Sequence, residues 1–369
     1  MRAADGGPPS GPPSPVIARV TRAGRDESIH RGFGAVCGAT GDPVGAFGDP
    51  ETPIFWRSAA KPFQALPFFE AGGDGAFGLT RDESALSCAS HAGEPAHAAA
   101  ARSMLEKGGF SVADLRCGTH APYDDASARA LERAGESPSA LHNNCSGKHA
   151  AMLLACRLFG FDPRGYDAPD HPLQRTILEK VAFYARYPAA GIEIGIDGCS
   201  LPVFRLPLSR LAAAYARLLA PAALEGESAD AAAARTRIVA AMTGSPFFVS
   251  GTGQFTTRLL EAGRGRWIGK EGAEGVYAMA IADPLRGIAF KLDDGSSRSR
   301  NAVACALLGK AGAWAEVPDA LAGDVRPALR NARGTAVGEI VTDVPLAWAR
   351  EEKPARAAGG APPAAVPLR

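Results

Sequence analysis

The sequence carries almost no net charge, few lysines, no long apolar run and no even set of cysteines. Its formal net charge is +1 at pH 7. No surplus of one sign is there to draw nucleic acid or an anionic membrane surface, so neither is expected as a partner. No apolar stretch reaches the roughly 20 residues that cross a bilayer. Residues 1–15 are rich in Gly, Pro and Ser and lack the apolar stretch of a secretory signal; they read as a disordered leader. Cysteines number 7, scattered from Cys37 to Cys305. An odd count without an export signal argues against a disulfide scaffold and points to a reducing cytoplasm. No internal repeat is visible.

The shortage of lysine is informative about those that remain. Of the 40 Lys and Arg residues, 32 are Arg and 8 are Lys. Arginine stays protonated in proteins and serves neither as a base nor as a metal ligand. Lysines in such a chain are weighted toward positions where a guanidinium cannot substitute. Lys61, Lys148 and Lys270 all fall inside polar motifs.

The length, 369 residues, suggests two lobes or one large layered unit. Val16 to Arg22 and Phe33 to Gly38 read as strands, joined by a polar segment through Glu27, Ser28 and His30. Val44 to Phe47 follows a Gly41-Asp42-Pro43 turn. Pro53 to Trp56 reads as a short apolar strand. Thr80 to Glu83 has the capping-box pattern. Helices are expected over Pro95 to Lys107, Asp124 to Ala134, Ala150 to Phe159, His171 to Tyr187, Leu208 to Leu219 and Ala229 to Met242. Ile192 to Ile196 reads as a short buried strand. Val276 to Ile281 and Gly287 to Leu292 read as antiparallel neighbours, and Ser299 to Leu308 as a helix packed on them. The pattern predicts an α+β fold, an antiparallel sheet from both chain ends with flanking helices and an inserted helical lobe. Strands are expected near 16–56 and 266–345, and the lobe at about 58–250, within one catalytic unit over 16–350. Residues 351–369 read as a flexible tail.

The chemistry centres on Ser58-Ala59-Ala60-Lys61. A hydroxyl and an amine three residues apart share one side of a helical turn. Serine becomes a nucleophile when a base takes its proton, and burial beside another positive charge brings a lysine toward that role. Alone, this spacing is common, and an N-cap serine with a solvated lysine is the plainer reading. Two further pieces stand around it. Ser90 follows a predicted helix, and Gly269-Lys270-Glu271-Gly272 lies beside a predicted strand. The order Ser-x-x-Lys, second Ser, Lys-x-Gly repeats the arrangement of penicillin-recognising serine enzymes. Lys61 would activate Ser58, and Ser90, tuned by Lys270, would relay a proton to the leaving group. Cys145, Lys148 and Cys199 make a possible zinc set with an open position, with Asp197 beside it to orient a ligand. Inert buried thiols are the alternative for both cysteines. Arg298 and Arg300 are candidates to clamp a substrate carboxylate, solvated surface arginines being the plainer reading.

These residues carry a resemblance. The chain resembles the asparaginase II family, the Rhizobium etli type of L-asparaginase. The matching stretches are Glu27-Ser28-x-His30, Arg57-Ser58-Ala59-Ala60-Lys61-Pro62 and Cys88-Ala89-Ser90-His91-x-Gly93-Glu94. Further on come Asn143-Asn144-Cys145-Ser146-Gly147-Lys148-His149, His171-Pro172-Leu173-Gln174, Asp197-Gly198-Cys199 and Lys270-x-Gly272-Ala273-Glu274-Gly275. One stretch departs: the family pattern Arg-Phe-Asp-Thr is here Gln254-Phe255-Thr256-Thr257.

The resemblance implies a β-lactamase-like fold and hydrolysis of L-asparagine to L-aspartate and ammonia. It implies two Ser–Lys pairs, here Ser58 with Lys61 and Ser90 with Lys270. It also implies zinc on Cys145, Lys148 and Cys199, and a homodimer; His149 is a candidate substrate contact. L-Glutamine is a plausible weak substrate, since one methylene is discriminated by only about 1–3 kcal/mol. The rival readings are a serine β-lactamase or peptidase with the same motif set, and a non-catalytic zinc-binding protein of the same fold.

Overall fold

The computed structural model describes residues 13–349. Residues 1–12 of the expected leader, and the whole of the expected tail, lie outside this range. The first strands are β1 (Val16–Arg22), β2 (Arg25–Cys37), β3 (Pro43–Phe47) and β4 (Pro53–Phe55). Helices α1 (Lys61–Glu70), α2 (Gly73–Ala76), α3 (Arg81–Leu86), α4 (Pro95–Lys107), α5 (Asp125–Ala134), α6 (Ser146–Phe159) and α7 (Pro172–Ala185) follow. Then come β5 (Glu193–Ile196), β6 (Pro202–Pro207), α8 (Leu208–Leu218), α9 (Ala229–Gly244), α10 (Pro246–Ser250) and α11 (Phe255–Gly263). The described chain closes with β7 (Trp267–Glu271), β8 (Val276–Ala282), β9 (Leu285–Leu292), α12 (Arg300–Lys310), α13 (Asp319–Val325), β10 (Ala328–Arg330), β11 (Ala336–Thr342) and β12 (Ala347–Trp348).

The main sheet runs β10-β11-β1-β2-β9-β8-β7, with β3 on β2 and β12 on β3, every pairing antiparallel. Its strands come from both ends of the described chain. The intervening segment supplies α1 to α10 and a separate three-stranded sheet, β4-β6-β5.

The sheet separates two apolar cores, and its side chains are sorted by size between them. Ala278, Ala280 and Ala289 face the helical lobe. Tyr277, Met279, Ile281, Ile288 and Phe290 face α11, α12 and α13. Strand side chains alternate between faces, so a small residue at every second position lets a helix sit close. Helix α8 takes that place with its own alanines. A Cβ on Gly287 would lie 1.8 Å from the Ala212 carbonyl oxygen.

Three sequence expectations change. The polar segment through Glu27, Ser28 and His30 is continuous strand, because Ala23 and Gly24 both take positive φ and make a two-residue hairpin turn. The stretch 193–196 is a strand, but Ile194 and Ile196 are exposed because β5 is an edge. Helix α6 begins at Ser146 rather than Ala150, so Lys148 and His149 ride on its first turns.

Gly287→Ala places a methyl group against helix backbone that cannot yield, and should destabilise the fold by about 1–3 kcal/mol or more. A lower melting temperature and urea midpoint are the expected readings; unchanged values would contradict the close approach of α8 to β9.

Candidate active site

Three elements deliver the serine and lysine side chains to one point. Strand β4 ends at Phe55, and Trp56, fully buried, donates its backbone N–H to Phe204 at 3.0 Å. Arg57 then takes φ 50° and opens a 3-10 turn over Arg57–Ala60 that runs directly into α1. Ser58 therefore sits on this turn, half-buried, and Lys61 opens the helix. Ser90 follows α3, its N–H bonded to the Val249 carbonyl at 3.0 Å. Lys270 lies on β7.

Both lysines are fully buried and both reach Ser90. Lys61 Nζ donates to Ser90 Oγ at 2.8 Å and to the Ala89 carbonyl at 2.5 Å. Lys270 Nζ donates to the same Ser90 Oγ at 2.8 Å. Among the described residues the Ser58 hydroxyl has no hydrogen-bond partner. The expected pairing of Ser90 with Lys270 is present; Lys61, expected on Ser58, is bonded to Ser90. Burial pushes the Lys270 ammonium down to about 8, against the pull of the Glu271 carboxylate and helped by the like charge of Lys61.

Glu271 was not singled out from the sequence, although it directly follows Lys270. Its Oε1 accepts from Lys270 Nζ at 2.7 Å, and its other oxygen accepts from Thr256 Oγ1. Thr256 also bonds the Tyr277 hydroxyl at 2.7 Å. Burial opposes ionisation of Glu271, but the charges of Lys270 and Arg300 outweigh it and hold the carboxyl below its usual range. Ser58, Ser90, Gln254, Thr256, Glu271, Arg300 and Asn301 line a pocket of about 300 Å³. Arg298 is exposed and does not line it.

A second cluster lies on the other side of Lys61. Cys145 precedes α6, and Cys199 closes the Asp197-Gly198-Cys199 turn after β5; both are buried. A hydrogen bond from the Cys199 thiol, opposed by burial and helped by Lys148, drives the Cys145 thiol well below its ordinary value. Lys148 Nζ donates to Cys199 Sγ at 3.2 Å. Burial would lower the Lys148 ammonium, but the negative charge at Cys145 and Asp197 and its bond to the Cys199 sulfur hold it up. Asp197 pairs with Arg57 at 2.8 Å, tying the thiol turn to the turn of Ser58. Among the described residues no group of three or more His, Cys, Asp or Glu is gathered for a metal ion. Two adjacent sulfurs, one already acidified, suit a soft divalent cation, and Lys148 would join them as a third donor only after losing the proton it now donates to Cys199.

His149 lies behind this cluster rather than in the pocket. It is fully buried, its Nδ1 pairs with the Tyr166 hydroxyl at 2.7 Å, and its Nε2 has no partner. Burial and the charges of Lys148 and Lys61 keep it neutral. His30 is buried on β2 and pairs with Asp294 at 2.6 Å.

Titration of the lysine side chains by NMR should find Lys270 near 8, well under the ordinary value of about 10.4. Glu271→Gln removes the carboxylate that favours the ammonium, so it should move Lys270 lower still. A Lys270 signal that titrates near the ordinary value, or that rises in the variant, would contradict this geometry.

The L-asparaginase II family profile matches residues 18–342, a span that contains every side chain of both clusters. No curated protein matches the chain. The order of Ser58, Lys61, Ser90, Cys145, Cys199 and Lys270 along the chain sits inside that match. The chain belongs to the L-asparaginase II family.

Proposed function

We propose that the protein is an L-asparaginase of the Ser–Lys type, with a β-lactamase-like arrangement of sheet and lobe. The single observation that carries this reading is Ser90 Oγ, held 2.8 Å from both buried lysines in the pocket that Ser58 lines. A serine oxygen has two lone pairs, and two N–H donors occupy both. Ser90 is thereby a proton relay rather than an attacking group. Ser58 has its oxygen free and faces the pocket, at the positive end of α1.

In this reading Ser58 Oγ attacks the side-chain amide carbon of L-asparagine. A neutral lysine accepts from Ser90 instead of donating, which frees a lone pair on Ser90 to take the Ser58 proton as Ser90 passes its own to that lysine. Lys270, at about 8, has a neutral fraction near physiological pH. The same network returns a proton to the departing nitrogen, and ammonia leaves with the C–N electron pair. Water then attacks the aspartyl ester, giving its proton to the lysine, and Ser58 leaves reprotonated. Cys145, Cys199 and Lys148, the latter as a neutral amine, would hold zinc. Bound there, zinc would supply a fixed positive charge that orients a polar group of the substrate. L-Glutamine is a weaker substrate in this reading, and the functional unit a cytoplasmic homodimer.

Ammonia release from L-asparagine tests the reaction. Ser58→Ala should lower kcat by about 10³-fold or more, and Ser90→Ala should be similarly damaging. Mass spectrometry of the quenched enzyme should find an added aspartyl group on Ser58. Wild type that leaves asparagine intact yet turns over nitrocefin would replace this reading with the β-lactamase one.

Elemental analysis tests the metal. Wild type should carry about one zinc per chain, and Cys199→Ser far less. Equal zinc in the two proteins would remove the thiols from the metal site.

A further inference from the structure

The pocket has a side that the serine–lysine network leaves uncommitted. Helix α12 begins there with Arg300 and Asn301, both lining the pocket. The Arg300 guanidinium lies over the Tyr277 ring, 5.8 Å from its centroid. Its Nε is buried without a hydrogen-bond partner, and so is Asn301 Oδ1. The preceding Ser299, fully buried, likewise has no partner for its hydroxyl. Buried polar atoms are almost always paired, so the unpaired ones on the pocket-lining residues Arg300 and Asn301 mark where a ligand supplies the partner.

The nearby charges are already engaged. Lys61 and Lys270 are held by Ser90, and the Glu271 carboxylate by Lys270 and Thr256. Arg300 is the one cation among the pocket-lining residues; its charge acts on Glu271, but no hydrogen bond engages its guanidinium among the described residues. The hydrogen-bonded acceptor that its fork still lacks is best a planar carboxylate gripped at two points. The missing partner of Asn301 Oδ1 is an N–H donor. A free α-amino acid presents both groups on a single carbon.

We infer that Arg300 and Asn301 form a head-group subsite, Arg300 binding the α-carboxylate and Asn301 the α-ammonium of a free amino-acid amide. The subsite selects free amino acids over amides that lack the α-carboxylate or carry it in a peptide bond. It deepens the asparaginase reading and rests on it for the identity of the reacting amide. The segment before α12 is built to hold this placement. Asp294 Oδ2 pairs with the buried His30 of β2 at 2.6 Å, and Asp294 Oδ1 accepts from the Ser296 N–H at 3.0 Å. This gives the Glu27-Ser28-x-His30 stretch a positioning role for Arg300.

Calorimetry with three small ligands tests the subsite without turnover. L-Aspartate carries both head groups, succinate lacks the ammonium, and β-alanine lacks the α-carboxylate. Arg300→Gln should weaken L-aspartate and succinate by about tenfold or more and leave β-alanine within about twofold. Arg300→Lys should recover part of the loss. Asn301→Leu should weaken L-aspartate and β-alanine and spare succinate. Equal weakening of all three ligands by Arg300→Gln, no weakening, or wild type that fails to bind L-aspartate would overturn the subsite. Wild type that binds L-aspartate with this pattern, but releases no ammonia from L-asparagine, would keep the subsite and overturn the reaction.

Discussion

Two ammonium groups buried around one hydroxyl oxygen are the constraint on which the rest of the structure depends. Lys61 and Lys270 are both without solvent, and their charges repel in a medium that screens poorly. Such an arrangement persists only if other groups balance it. Glu271 balances Lys270 from the strand, and the acidified Cys145 lies beside Lys61. The helical lobe brings Lys61 and Ser90, and the sheet brings Lys270. The seam between lobe and sheet is therefore an electrostatic junction as well as a packing surface.

Signs alternate along this junction. From the thiol turn the order is Asp197, Lys148, Cys145, Lys61, then Lys270, Glu271 and Arg300. Alternation fails once, between Lys61 and Lys270, where neutral Ser90 stands between two positive neighbours. That is the place where giving up a proton relieves the most repulsion. Burial is the main cause of the lowered Lys270 value, and the like charge of Lys61 adds to it. A basic group sits where the chain has made its own protonation costly, and the hydroxyl beside it inherits the benefit.

Much of this was legible in the sequence, and what was not has physical causes. The gathering of strands at the two ends and helices between them followed from periodicity and turn residues. The capping box at Thr80 and Glu83 and the helix over Pro95–Lys107 stand as their local signals indicate. Ser90 and Lys270 could be paired because motif order preserves them. That Lys61 reaches across to Ser90 could not be read, since the partner is fixed by the tertiary approach of α1 to the end of α3. Arg300 and Arg298 looked alike as neighbours in a polar stretch. Only the start of α12 separates a pocket-lining side chain from an exposed one. The strand character of residues 25–31 was hidden because one of its turn residues is Ala23, a type that seldom adopts positive φ.

The small sheet β4-β6-β5 has a consequence of its own. Strand β4 leads into the turn of Ser58, and β5 leads into the turn of Cys199. Both are registered on β6, at Phe55 opposite Arg205 and at Ile196 opposite Pro202. A single strand thus serves as the datum from which Ser58 and Cys199 are both measured. One residue of slippage on either side would displace its turn by about 3.3 Å and turn its side chains to the opposite face. Tolerance in the active site is accordingly set by ladder hydrogen bonds in a strand that carries no reactive group. Substitutions along Pro202–Pro207 act on two centres at once while touching neither.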